Sequence, residues 1–401
     1  MDHSAVLYNW LAGDVSAEAN AILGAALAHA EPAYAERIAA ILLQRRHESA
    51  WAGLVAGFHR LSAASQAHVR GRANLLWAGI ADAVKLSDPQ ARLNALQLLA
   101  ERPCPQLLYL AAESLRSTSP ALSETAARTL RAAAEQLLQH DPLPAPDKAA
   151  PASGPPTNAA ADRAALVAAL AEALRTYDVH RRADVLEACL WYAPELGDVL
   201  WDALGPAQSS AARTVETQLA GWDHPRLAPF LLTALGRPAW HQRALQILGG
   251  WSTRDQLVAL LECSRLLALP GVRDNLHFLR RPAILAAAGP ALSNLPSHLR
   301  GRLPHWILYL GFTDAERLRV LRAWLAMRAA PVRSGAAYAL AALGTPEARA
   351  ALAEIAAEPT AAGRFARWYI AGRAPAGARQ SQAPAGSSLA AATSAFQPGP
   401  E

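Results

Sequence analysis

The sequence has few cysteines, few aromatic residues and almost no lysine. Its three cysteines, Cys104, Cys189 and Cys263, stand far apart in apolar segments, which is typical of small buried hydrophobic residues and not of a disulfide framework. Aromatic residues make up only 6% of a chain that is 52% hydrophobic, so alanine and leucine supply most of the apolar surface. Alternating runs of Val, Ile and Thr, which would indicate strands, are missing as well. This composition predicts an all-α protein.

Long apolar segments are also missing. Charged residues or proline interrupt every apolar run before about 18 residues, the shortest length that spans a bilayer as a helix. The first residues, MDHSAVLYNWLAGD, lack the basic segment and the cleavage site of a secretory signal. Together with reduced cysteines, these observations predict a cytoplasmic protein with no membrane partner.

No motif for a catalytic site or a cofactor stands out. The sequence contains no P-loop, nucleophile elbow or CxxC, and its one His-Glu dipeptide is His47-Glu48. His180, Asp184 and Glu187 fall on one helical face at a spacing that zinc accepts, but an exposed polar face explains them equally well. We therefore predict a protein that is not an enzyme and that carries no metal and no cofactor.

One stretch, residues 330–357, shows most clearly what the sequence does contain. Its first half has an apolar stripe at helical spacing, formed by Val332, Ala336, Ala339, Leu340 and Leu343. Gly344 then predicts a left-handed helix stop, and Thr345 followed by Pro346 predicts the capped start of a second helix. A hairpin of this kind cannot bury its apolar face alone, so the stretch predicts an array of similar hairpins.

Proline usage divides the chain. Residues 1–140 predict an N-terminal helical array, and residues 163–373 predict a second, C-terminal one. Between them, residues 141–162 contain six prolines and almost no large apolar side chain, which predicts an exposed linker. Residues 374–401 are rich in Pro, Gly, Ser and Ala and predict a disordered tail.

Two segments carry a resemblance to a known family. AAPVRSGAAYALAALGTPEARAALAEIA and DPQARLNALQLLA resemble HEAT-like repeats of the phycobilisome-lyase type, in which a proline, an arginine and spaced Ala and Leu precede a glycine break. Asp88 and Arg92 stand where such units carry Asp and Arg, and Arg333 matches the arginine alone. The resemblance implies an α-solenoid of HEAT-like helical hairpins, an α–α superhelix. It also implies a binding scaffold, since such repeats serve mainly in that role.

Positive charge is concentrated in one segment. The whole chain has a net charge of +5, and residues 1–139 hold twelve basic and twelve acidic side chains. Residues 265–333 hold eleven arginines and only three acids. This imbalance indicates either a solvated face, with some arginines packing their stems over apolar neighbours, or a surface for an acidic partner. The strongest candidate contacts flank the proline-broken part of the segment and are Arg280, Arg281, Arg300 and Arg302.

Two functions remain open at this point. The first is a non-catalytic scaffold that binds an acidic surface of another protein. The alternative is a helical-repeat protein that binds nucleic acid, in the manner of a DNA glycosylase, through its Arg-rich surface. The eleven tryptophans are spread along the chain, which favours packing between repeats. Trp222, Trp240 and Trp251 are the candidates for an exposed binding role.

Overall fold

We describe the protein from a computed structural model, which covers residues 3–45, 47–72, 76–140, 158–205, 209–219, 224–251, 253–269, 271–277 and 295–372. Within these ranges the chain forms α-helices and short 3-10 helices, and no strand. The predicted all-α class is confirmed. The predicted tail and most of the predicted linker lie outside the described residues.

The helices form two compact units. In the described part, the first unit comprises residues 3–140 and 158–219, and the second comprises residues 224–372. The helices of the first unit are α1 (His3–Gly13), α2 (Ala17–His29), α3 (Pro32–Gln44), α4 (Glu48–Ala56), α5 (Ala63–Gly71), α6 (Trp77–Lys85), α7 (Pro89–Glu101), α8 (Leu108–Ser114), α9 (Pro120–His140), α10 (Asn158–Arg175), α11 (Tyr177–His180), α12 (Ala183–Trp191), α13 (Ala193–Leu196), α14 (Asp198–Leu204) and α15 (Ser210–Leu219). The helices of the second unit are α16 (Ala228–Leu235), α17 (His241–Gly250), α18 (Arg254–Glu262), α19 (Val272–Leu276), α20 (Ser297–Arg300), α21 (Leu303–Trp306), α22 (Asp314–Leu325), α23 (Ala330–Leu343), α24 (Pro346–Ile355) and α25 (Ala361–Gly372).

This division differs from the boundary that the prolines indicate. Helix α10 begins at Asn158, inside the segment that the sequence assigns to the linker, and packs against α8, α9 and α12. Residues 158–219 therefore belong with the first unit and not with the C-terminal array of residues 163–373. Proline content marks where the chain leaves a helix, but it carries no information on which helices pack across the gap.

In the first unit, sequence-neighbour helices pack closely. Helices α2, α4 and α6 contact one another in turn, and α7 and α9 continue the series. Glycine permits the closest of these crossings, because a methyl carbon added to Gly53 on α4 would lie 2.5 Å from the Cα of Gly24 on α2. Such an approach leaves no space for any side chain at that point.

In the second unit, α23 lies at the centre of the C-terminal helices and contacts α20, α21, α22, α24 and α25. The predicted stripe on α23 is buried at Val332, Ala336, Ala339 and Leu340, while Leu343 is half-buried. The predicted break is confirmed too. Gly344 adopts a left-handed φ of 66°, Thr345 accepts a hydrogen bond from the Ala348 amide, and Pro346 is the first residue of α24.

Side chains from later helices satisfy the carbonyls at helix C-termini in both units. Asn94 on α7 donates to the carbonyls of Val55 and Ala56 at the end of α4, at 3.2 and 2.9 Å. Asn275 on α19 donates to the carbonyl of Leu235 at the end of α16, at 2.7 Å. The partners stand about 40 residues apart in each case, so these side-chain hydrogen bonds link one helical hairpin to a later one.

Candidate binding surface

The predicted contacts Arg300, at the end of α20, and Arg302, shortly after it, donate hydrogen bonds to backbone carbonyls. Arg300 donates from Nε to the carbonyl of Leu295 at 2.8 Å, and Arg302 donates to the carbonyl of Leu261 at 3.3 Å. Both side chains are half-buried. Arg280 and Arg281 lie outside the described residues, so the four predicted contacts are not seen as one group.

Three further arginines of the same segment make internal contacts. The Arg273 guanidinium lies 5.0 Å from the centre of the Tyr309 ring. Arg317 pairs with Asp314 at 2.9 Å and donates to a backbone carbonyl, and Arg333 pairs with Glu358. These contacts use the planar, multiply donating guanidinium group as a structural clamp, so the abundance of arginine overstates the charge that is open to a partner.

Three exposed arginines of this segment lie on α22 or shortly after it. Arg319 and Arg322 stand on the outer face of α22, and Arg328 follows shortly after the helix ends; we call these three residues the basic stripe. Ala315 and Ala326, four residues before Arg319 and four residues after Arg322, are small and also exposed. The stripe therefore presents guanidinium groups over a surface that a partner can approach closely.

Few acids neutralise the basic stripe. Arg322 lies 3.5 Å from Glu354 on α24, and both side chains are largely exposed, so the pair is weak. Arg319 and Arg328 have no hydrogen bond or ion pair with another residue in the described ranges. The two acids of α22 are committed to its N-terminus, where Asp314 pairs with Arg317 and Glu316 forms a capping box with Thr313. The field at the stripe is therefore positive.

The two units differ in charge. Residues 1–222 carry 18 basic and 23 acidic side chains, a net charge of −5, whereas residues 223–372 carry 18 basic and 9 acidic side chains, a net charge of +9. The basic stripe thus lies in the unit whose overall charge attracts anionic groups.

The tryptophans divide between core and surface in a way that the sequence did not indicate. Trp240 and Trp251 are buried, with 6% and 2% exposure, and Trp222 lies outside the described residues. Trp368 on α25 is instead 61% exposed, with its ring centre 5.8 Å from that of the buried Phe365. The opposite face of α25 is buried. Helical periodicity therefore placed Trp368 in a closing helix but did not show that its side chain is exposed.

Two of the three residues at zinc-compatible spacing are engaged in other contacts. The ring nitrogens of His180 contact the Ala173 carbonyl and the Arg182 amide, each at 3.0 Å, while Glu187 pairs with Arg131 at 3.2 Å. No three His, Cys, Asp or Glu side chains within the described ranges are arranged to hold a metal ion.

The three cysteines are buried and form no disulfide, as predicted. Burial strongly raises the pKa of Cys189, which keeps that thiol protonated and unreactive.

None of the helices that the structure describes is long and apolar enough to cross a membrane. In comparisons with known proteins, no family model matches the chain, and no curated protein matches it.

Proposed function

We propose that the protein is a non-catalytic helical scaffold, of the HEAT-like kind that its sequence resembles, and that it binds an acidic partner protein through its second unit. The observation that carries this proposal is the basic stripe, where Arg319, Arg322 and Arg328 are exposed with a single acidic neighbour. Guanidinium groups bind carboxylates through paired, charge-assisted hydrogen bonds, so an acidic helix or loop is the matching surface.

A nucleic acid is the second candidate, because the net charge of +9 on residues 223–372 also attracts phosphate. The stripe itself favours a protein. It consists of only three arginines, two on α22 and one shortly after it, whereas a duplex presents a continuous row of phosphates that a larger basic surface would match. The exposed Trp368 is also of the residue type that most often anchors protein interfaces.

The test is the triple variant R319Q/R322Q/R328Q, with R72Q/R116Q/R213Q as the control. The control removes the same charge from exposed positions of the first unit. We would measure binding of a peptide of about 20 glutamates, and of a duplex of about 20 base pairs, by fluorescence anisotropy. Wild type and control should bind the peptide at low salt, the triple variant should bind it at least about tenfold more weakly, and higher salt should weaken all binding.

Two results would contradict the proposal. If wild type and triple variant bind the peptide equally, the stripe is an ordinary solvated surface. If the duplex binds more tightly than the peptide and only the triple variant loses that binding, the nucleic-acid function replaces the proposed one. Circular dichroism of all three proteins establishes beforehand that their helix content is equal.

A further inference from the structure

Helix α2 has one exposed face that no helix of the described residues covers. Its inner face, which includes Leu23, Gly24 and Leu27, is buried, and the helix packs against α4. Ile22 on the opposite side is 50% exposed. The remaining side chains of this outer face are all exposed, and we define the α2 face as Glu18, Ala21, Ile22, Ala25, Ala26 and His29.

The preceding helix, α1, is held at its C-terminal end by an arginine that follows α3. Arg45, which follows α3, donates to the carbonyls of Leu11 and Ala12 at the C-terminal end of α1. Arg37 of α3 also acts on Tyr8 of α1 and lowers its pKa, against the larger effect of burial, which raises it. Helix α1 is thus tied to the end of α3 at its C-terminal end, and its own contacts with α2 leave the α2 face exposed.

Two further large apolar side chains near α2 in the sequence are exposed. Trp10, within α1, is 61% exposed, and Val15, between α1 and α2, is 72% exposed. Three exposed large apolar side chains therefore fall within 13 residues, which favours an interaction surface in this part of the first unit.

The α2 face is complementary to itself in an antiparallel arrangement. If two copies of α2 pair about the midpoint between Leu23 and Gly24, Ile22 lies opposite Ala25 and Ala21 lies opposite Ala26. The bulky side chain then meets a small one, twice by symmetry. At both ends, Glu18 lies opposite His29, where the imidazole N–H can donate to the carboxylate. A parallel pairing would place Glu18 on Glu18 and Ile22 on Ile22.

We propose that α2 docks antiparallel on α2 of a second copy of this chain and forms a two-fold symmetric dimer. An interface of this kind is isologous, so each residue pair occurs twice and the assembly closes at two chains. The small side chains on either side of Ile22 let the two helix backbones approach closely. This inference does not depend on the basic stripe, which lies in the other unit.

The first test is the oligomeric state of the full chain, measured by sedimentation velocity over a range of protein concentrations. Wild type should show a concentration-dependent dimer, and I22R should remain a monomer because the arginine would lie against Ala25 of the second copy. V179R is the matched control, since Val179 is 68% exposed on α11 of the same unit, and it should behave as wild type. A monomeric wild type at all concentrations, or an I22R variant that still dimerises, would overturn the proposal.

The second test reads the register of the pairing. E18C and H29C proteins are treated with a short bis-maleimide, separately and as a mixture. The three natural cysteines are buried, so background cross-linking should be low. Cross-linked dimer should form in the mixture and not in either protein alone, because antiparallel pairing separates the two copies of position 18 by about 16 Å at 1.5 Å per residue. Efficient cross-linking of E18C alone would indicate parallel pairing and contradict the proposal.

Discussion

At the scale of single residues, buried polar side chains matter most where they meet helix ends. The last carbonyls of a helix have no partner within the helix, and a buried carbonyl without a hydrogen bond is costly. Asn94 is fully buried, serves two such carbonyls at the end of α4 and accepts a hydrogen bond from Gln90 at 3.0 Å. Nearby, Asp88 caps the start of the same helix by accepting hydrogen bonds from the amides of Gln90 and Ala91.

We expect Asn94→Ala to lower the free energy of unfolding by about 1–3 kcal/mol, since it removes a buried hydrogen-bond donor from two carbonyls at the end of α4. Urea denaturation followed by circular dichroism measures the change. Asn9→Ala, at an exposed position of α1, should shift the midpoint little. Equal midpoints for the two variants would mean that Asn94 is not needed at the end of α4.

His305 gives the second unit a predictable response to acid. Burial, with a smaller contribution from Arg273, lowers the pKa of His305 below its ordinary value of 6.5. The unfolded chain therefore binds a proton more readily than the folded chain, so stability is present above about pH 6.5 and is lost as the pH falls below it. Burial lowers the pKa of His180 and His59 in the first unit in the same way.

Thermal unfolding measured between about pH 7.5 and pH 5 tests this expectation. The melting temperature should fall as the pH decreases, and it should fall less in His305→Phe, which retains a planar ring but cannot take up a proton. His277→Phe, at an exposed position in the same unit, should leave the slope unchanged. A slope in His305→Phe equal to that of wild type would exclude His305 as a source of the pH dependence.

At the scale of elements, the chain relies on small residues where helices cross. Alanine and glycine bring helix axes close, and at the glycine pair of α2 and α4 an added methyl carbon would meet backbone at 2.5 Å. An added methyl group at such a crossing must displace backbone and not a flexible side chain, so the cost is one of overpacking.

We expect Gly53→Ala to lower the free energy of unfolding by about 1–3 kcal/mol, although alanine is the better helix former. Gly71→Ala is the matched control, because a methyl group there would meet nothing within 4 Å. That substitution should leave stability unchanged or raise it by up to about 1 kcal/mol. Denaturant titration of both variants measures the difference, and a Gly53→Ala protein as stable as the control would show that α2 and α4 can separate without cost.

At the scale of the whole molecule, the two units differ in net charge and in the helix packing that stabilises each of them. The first unit spans the proline-rich stretch, because α10 packs on α8 and α9, which precede that stretch. The prolines indicate an exposed linker at residues 141–162, whereas the packing of α10 makes residues 158–219 dependent on the helices before that linker.

Two fragments and one cleavage test this dependence. The fragment 224–372 should fold alone and unfold cooperatively on heating, whereas the fragment 158–219 should not, because α10 loses its contacts with α8 and α9. Proteolysis within residues 141–157 should leave two pieces that elute together from a sizing column under native conditions. Elution as separate folded pieces would instead support the boundary that the prolines indicate.

The sequence alone determined the all-α class and the local signals within it. Gly344, Thr345 and Pro346 end one helix and begin the next as predicted, because φ preference and capping depend on only a few neighbouring residues. The burial of the three cysteines also followed from their immediate apolar surroundings. Helical periodicity likewise identified the buried side of α23.

Only the tertiary structure decided which side chains face outward. Trp240 precedes α17 and Trp368 lies within α25, yet the first is buried and the second is exposed, because exposure depends on whether other parts of the fold cover the side chain. Arg302 and Arg319 are equally basic in the sequence, yet Arg302 serves a carbonyl on α18 and Arg319 remains open. These distinctions arise from contacts between residues far apart in the chain, which local sequence patterns do not encode.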